Sequence, residues 1–278
     1  MKKILLSLTL FAGIAVNAQK ITLTKGQQIT ISTSTLQDID MTGMGMQMKN
    51  NTTTTSILEV KGDDKENYTT SFKVSKMNLT MDMMGRQQSY DSDKPEDKDS
   101  EMGKAVADKI GKEVAVLINK KTGKASLENK TGVSPEKKAD TNPLMDGMMD
   151  AFGSAEEDAS VETIFFLIPA GKKAGDTWMD SSSNKGMKEV KTYTFKSIND
   201  GIANIAMFAT MQGNSTMETQ GMQMDITLSA KTEGEILVDS KSSLVKKRSS
   251  VMDLTGSMDV MGQSIPIISK AIVNIDYK

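Results

Sequence analysis

The chain has 278 residues, a net charge of −2, and neither histidine nor cysteine. Those two absences exclude Ser-His-Asp and Cys-His catalysis, ordinary zinc coordination and any disulfide staple. The mild acidity, −4 once Lys2 and Lys3 are removed, argues against nucleic acid and against anionic lipid surfaces, which both require a basic face.

At the start of the chain Met1-Lys2-Lys3 is followed by an apolar run from Ile4 to Val16. Val16-Asn17-Ala18 then places small residues at −3 and −1 before Gln19. This layout predicts a secretory signal peptide over Met1–Ala18 and an exported protein, periplasmic or secreted. The apolar run is shorter than the roughly 20 residues of a membrane helix. No later stretch is longer, so no integral membrane span is expected. With no cysteine after the apolar run, lipid attachment at an N-terminal cysteine is chemically impossible.

The next segments read as antiparallel hairpins. Lys25-Gly26-Gln27-Gln28-Ile29 is a polar turn opening a strand, and a similar turn at Ala174-Gly175-Asp176-Thr177-Trp178 opens another. Thr55 to Val60 turns at Gly62-Asp63-Asp64 and returns through Tyr68 to Val74. Tyr193 to Ile198 turns at Asn199-Asp200-Gly201 and returns to Phe208. Glycine beside aspartate between alternating apolar positions is a strong hairpin signal. Methionine-bearing strand pairs follow in each half, Met77 to Tyr90 around Gly85 and Met211 to Leu228 around Gly221. Similar units lie at Met41 to Met48 and at Met252 to Ile268.

Between the halves the pattern changes. Asp91 to Glu101 is an acidic loop containing Pro95, and Met102, Ala105, Val106 and Ile110 follow helical spacing. Val114–Ile118 and Ala125–Leu127 flank a Lys-Thr-Gly turn. Leu144–Phe152 and Ser160–Leu167 read as helices ended by Pro169. The expected fold class is α+β, mainly antiparallel β. A curved sheet or open barrel forms from two related halves, about 19–95 and 172–278, with two or three helices near 97–110 and 144–167 from an insert over about 96–171. All of 19–278 is expected to form one domain.

The order of elements resembles an uncharacterised family of exported bacterial proteins known only as a domain of unknown function. Ile168-Pro169, Gly175-Asp176-Thr177-Trp178, the Asn199-Asp200-Gly201 hairpin and the hairpin Gly111–Leu127 carry the resemblance. It implies no activity, cofactor or catalytic residue. A looser likeness, of architecture alone, is to the half-open β-barrels of lipoprotein carriers, which cradle acyl chains against a curved sheet.

The 23 methionines are the most unusual feature. Met44, Met46 and Met48 alternate; so do Met77, Leu79, Met81 and Met83, then Met222, Met224, Ile226 and Leu228, then Met252, Leu254, Met258 and Val260. Period-two spacing places each set on one strand face, with mostly polar residues between. Three readings follow. Methionine fills a core poor in aromatic residues. Alternatively its adaptable thioethers line a pocket for an apolar or acyl-chain ligand, with Met44, Met46, Met81, Met83, Met222 and Met224 as the lining and helix 144–152 as a lid. Or thioether clusters hold Cu(I) or Ag(I), with Met44, Met46 and Met48 as the ligands.

Other candidate sites fail on spacing. Asp91, Asp93, Glu96, Asp97 and Asp99 lack the glycine and terminal acid of a calcium loop. Glu156, Glu157, Asp158 and Glu162 read as a helix N-terminal turn, Gly171-Lys172-Lys173 lacks the Walker spacing, and Trp178 reads as a core plug. The expected function is non-enzymatic binding, without cofactor, of a lipid or small apolar molecule. The alternatives are a soft-metal binder and a structural or partner-binding envelope scaffold.

Overall fold

Short-range hairpins, most of them closed by a glycine-bearing turn, build almost the whole structure. The computed structural model describes residues 21–41, 43, 45–107, 109–127, 161, 163–184, 186–219, 222–260 and 262–278. Four strands come first: β1 (Gln28–Met41), β2 (Met46–Asp63), β3 (Asn67–Met83) and β4 (Arg86–Asp91). After helix α1 (Glu101–Val106) come β5 (Val114–Asn119) and β6 (Ala125–Leu127). Six more follow: β7 (Thr177–Asn184), β8 (Met187–Asn199), β9 (Ile202–Thr219), β10 (Met222–Asp239), β11 (Val245–Val260) and β12 (Gln263–Tyr277).

All twelve join one sheet in the order β6-β5-β3-β2-β1-β12-β11-β10-β9-β8-β7, with β4 also paired to β3. Every strand pairing is antiparallel. Strand β1 pairs β12 in the middle of the sheet, and Thr30 and Lys278 exchange backbone bonds of 2.8 and 2.9 Å. The first strand therefore meets the last at the sheet centre, and the edges are β7 on one side and β6 and β4 on the other.

The expectation of two or three helices against the sheet is corrected by the structure. Among the described residues there is one short α-helix, Glu101–Val106, preceded by a 3-10 turn at Pro95–Asp99. Ser100 caps α1 by accepting a bond from the Gly103 amide at 2.9 Å. Beyond it the chain bridges Ile110 to Val74, so helical spacing does not extend to 110. Leu144–Phe152 and the acidic group Glu156–Glu162 lie outside the described residues. Of the expected helix Ser160–Leu167, Val161 is helical and Thr163 and Ile164 form a turn, but from Phe165 the chain runs extended: Phe165 bridges Leu244, the Phe166 amide donates to the Ser243 carbonyl, and the Val245 amide donates to the Ile164 carbonyl. A short apolar run fits a buried extended segment as well as a helix, and here the β10–β11 turn supplies the backbone partners. The class is mainly β, and α+β overstated the helices.

That extended segment is a strap. Ile164 is fully buried, and Phe165 and Ile168 join the main core with Ile21 and Leu23. At one end the strap meets the β5–β6 turn, where a Cβ on Gly123 would stand 2.9 Å from Phe165 Cβ. At the other, the Phe166 ring lies 5.0 Å from that of Tyr193 on β8. Strands β5 and β8 are eight steps apart in the sheet order, about 38 Å if the sheet were flat. Two consecutive residues cannot bridge that distance. The sheet must curl, and the face carrying the strap is the inside of the curl. Register shifts at Thr55/Ser56, Val60/Gly62, Phe195/Ser197 and Leu237/Val238 all fall at this end, where bulges add the bend that lets long strands wrap the core.

Candidate functional site

The cross-strand register shows what the inner face carries beyond the strap. In the first row of interest Thr54, Thr33, Ile275, Arg248, Ile236, Ile205 and Phe195 stand side by side across seven strands. The next row runs through Thr52, Thr35, Val273, Ser250, Gly234, Met207, Tyr193 and Trp178. Two residues further along each strand, Asn50, Gln37, Ala271, Met252 and Thr232 follow. Beyond these lies a second apolar cluster of Ile39, Met41, Ile226, Ala230, Leu254, Met258, Ile265 and Ile267, with Met46, Met48, Met211, Leu228 and Met252 partly buried against it. The inner face thus has an apolar floor under the strap, a polar belt and an apolar far end.

The belt contains polar atoms without partners. Thr35 is 4% exposed and Ser269 3%, and neither hydroxyl has a hydrogen-bond partner, nor has Asn50 Oδ1. Buried polar atoms are ordinarily bonded, because leaving one unpaired costs about 1–3 kcal/mol. On β11, Arg248 is half-buried, and its guanidinium donates to the Met207 thioether at 3.4 Å. Among the described residues no carboxylate stands within ion-pair distance of it. Lys191, on the same face, is paired with Glu189 at 2.8 Å.

Three aromatic rings close the β7 side. Trp178 stacks on Tyr193 with centroids 5.5 Å apart, and Phe166 approaches both. Trp178 is half-buried and packs, with Phe166 and Tyr193, against the edge of the main core. Burial pushes the pKa of the Tyr193 and Tyr277 hydroxyls upward, and the nearby Arg248 charge opposes that in both. Tyr277 also shares a 2.8 Å hydrogen bond with Thr163 of the strap.

Of the six methionines expected to line a ligand site, Met81 is buried and Met46 and Met83 are half-buried. All three occupy inner-face positions of neighbouring strands: Met48 stands opposite Met83, Asn50 opposite Met81, and Met46 opposite Met41. Met222 and Met224 hold register positions opposite Thr219 and Met217 at the start of β10, and their side chains lie outside the described residues, as does Met44. The structure therefore gathers the β2 and β3 methionines. Sequence reading missed Arg248, Thr35 and Ser269. Arg248 follows Lys246-Lys247, and such a run reads as solvated charge. Yet its parity with Ser250, Met252 and Leu254 was visible, and parity alone places it on the apolar face.

Among the described residues no group of three or more acidic side chains is placed to hold a metal ion. The acidic loop instead bonds its own backbone, with Asp97 accepting from the Asp91 amide and Asp91 from the Asp93 amide.

A model of a protein family of unknown function, DUF6263, matches residues 65–245. The chain belongs to that family. No curated protein matches it in sequence. Among solved structures it is similar to lipovitellin, in a structure concerned with lipid–protein interactions. The TM-score is 0.50 with 10% identity, covering 92% of this chain and 25% of that one. The chain thus spans about a quarter of lipovitellin's length, and the likeness is one of fold. It is also similar to OpdQ of Pseudomonas aeruginosa, with 6% identity over 92% of this chain and 99% of that one, at a TM-score of 0.27. A protein from Bacteroides fragilis with a YmcC-like fold, described as exported, gives 10% identity over 92% and 97% at a TM-score of 0.16. The last two scores are too low to imply a shared fold. Among the described residues of this DUF6263 protein, no helix is long and apolar enough to cross a membrane.

Proposed function

We propose that the protein is a non-enzymatic, exported binding protein that holds an apolar or acyl-chain ligand against the inner face of its curled sheet. One observation carries this reading. The far-end cluster is made of sheet residues alone among the described residues, and Met46, Met48, Met211, Leu228 and Met252 are left partly buried on it. Burying such side chains against a ligand stabilises a complex by roughly 25 cal/mol per Å2 of apolar surface removed from water. Methionine suits this role because its unbranched thioether repacks around varied apolar shapes. The fold likeness to lipovitellin supports a lipid as the occupant. The absence of histidine and cysteine from the chain supports binding over catalysis.

The test is native mass spectrometry of protein purified gently from a bacterial periplasm. A retained mass of a few hundred daltons, released on denaturation, is the expected result and would identify the cargo. Protein that stays bare after incubation with single-chain lipids would sink the reading.

A second reading is favoured by the register. Met41 stands opposite Met46 and Met48 opposite Met83, so four thioethers of three adjacent strands share one corner of the inner face. Thioether clusters select Cu(I). Stoichiometric Cu(I) uptake under reducing conditions, seen as a mass shift, would support this reading.

A further inference from the structure

We propose that Arg248 is the head-group site of this inner face, and that the ligand is a single-chain amphiphile with an anionic head, a carboxylate or a phosphate. The inference rests on the binding reading above and names its ligand class.

A guanidinium presents several N–H donors in a planar fork suited to two oxygens of one anion. Among the described residues the acceptor at Arg248 is the Met207 sulfur at 3.4 Å, and a thioether is a weak acceptor. The side chain is half-buried in a row that also holds Ile275, Ile236 and Ile205, so its charge is partly desolvated, with no counter-charge among the described residues. Elsewhere on this face the chain does pair its cation, since Lys191 meets Glu189. No described residue supplies the acid that would pair Arg248, and the proposal assigns that place to the ligand's anionic head.

The surroundings fit a head with a tail. From Arg248 to Leu254 the inner face of β11 runs about 20 Å at the usual rise per residue. Along that path the neighbouring strands present Val273, Ala271 and Ser269 on β12 and Gly234, Thr232 and Ala230 on β10, mostly small side chains. This path leads along the inner face from the charge to the far-end cluster of Leu254, Met258 and Ile226. An anion at Arg248 would lay its chain along this path. A detached anion would leave Met46, Met48, Met211, Leu228 and Met252 only partly buried, which favours an amphiphile over a free ion.

The test is calorimetric binding of dodecanoate, dodecyl phosphate and 1-dodecanol, each below its aggregation threshold, to delipidated wild-type protein and to Arg248→Met. Both anions are expected to bind the wild type more tightly than the alcohol does. Arg248→Met should weaken the anions by about tenfold to a hundredfold and leave the alcohol unchanged, which also reports that the variant is folded. Arg248→Lys should recover part of the loss. Equal binding of all three ligands, or anion binding that survives Arg248→Met, would overturn the head-group site while leaving the apolar reading intact. Failure of all three to bind the wild type would overturn both. Should Arg248→Met not fold, the wild-type preference for anion over alcohol decides alone, and a ratio of one or below overturns the proposal. Preference for dodecanoate would point to a fatty-acid-like ligand, and preference for dodecyl phosphate to a phospholipid-like one.

Discussion

The Tyr277 hydroxyl at the end of β12 lies 2.8 Å from the Thr163 hydroxyl of the strap. The strand at the centre of the sheet is thereby tied to the segment that closes one end of it. The bond is part-buried, and both residues come from parts of the chain that meet only when the sheet has curled.

Removing this tie should loosen the strap. Tyr277→Phe is expected to lower stability by about 1 kcal/mol, read as a lower urea midpoint. The pH profile should change as well. Burial is the main cause holding the Tyr277 pKa above its ordinary value of 10.0. A group raised on folding contributes stability that is complete below the unfolded pKa and is lost as pH rises through the folded one. Wild-type stability should therefore hold up to about pH 10 and fall above it, and Tyr277→Phe should fall less steeply over that range.

Gly123 is where the strap meets the β5–β6 turn. Its φ is +70°, and an added Cβ would stand 2.9 Å from Phe165 Cβ and 3.0 Å from Ile21 Cδ1. Gly123→Ala should cost about 1–3 kcal/mol, combining backbone strain with the clash. Gly26→Ala is the control, because Gly26 has a φ of +83° but nothing within 4 Å. Thermal unfolding should show the Gly123 variant clearly less stable than the Gly26 variant.

Two buried threonines should respond in opposite ways. Thr70 Oγ1 donates to the Val116 carbonyl at 2.9 Å, so Thr70→Val should destabilise by about 1 kcal/mol. Thr35 Oγ1 is buried without a partner, so Thr35→Val should be neutral or stabilising in ligand-free protein. Urea unfolding of the two variants beside wild type checks the contrast.

Changing Met46, Met48 and Met83 to Leu separates the two binding readings. Leucine keeps the inner face apolar at similar volume, so stability should change by less than about 1.5 kcal/mol per site. Apolar-ligand binding should persist within a few-fold. Cu(I) uptake depends on sulfur and should disappear. Native mass spectrometry with each ligand reads both outcomes on one sample.

The hairpins were legible because each is set by a few adjacent residues. Asn199-Asp200-Gly201 supplies the positive φ its turn needs, at Asp200 (+50°) and Gly201 (+80°), and the alternation of Tyr193 to Phe208 fixes which side chains turn inward. The methionine faces were legible for the same reason, and Met81 and Met83 fall where period two puts them. The strap was not legible. Ile164, Phe165 and Ile168 fit a helix face and a buried extended run equally well, and the choice rests with Ser243 and Leu244, about 80 residues further on, whose turn offers the backbone partners. Arg248 was hidden by its company, since Lys246 and Lys247 beside it are exposed.

By itself the sequence determined the strands, their turns, the apolar face of each and the exclusion of histidine and cysteine chemistry. These are local properties, carried by a period of two, by glycine at positive φ and by composition. Only the tertiary structure decided that β1 pairs β12, that the sheet curls around a strap, that Thr35 and Ser269 are buried without partners, and that Arg248 is half-buried with no carboxylate beside it among the described residues. Those outcomes depend on contacts between distant parts of the chain, where backbone hydrogen bonds and burial compete among many possible pairings, and no short window of residues contains that competition.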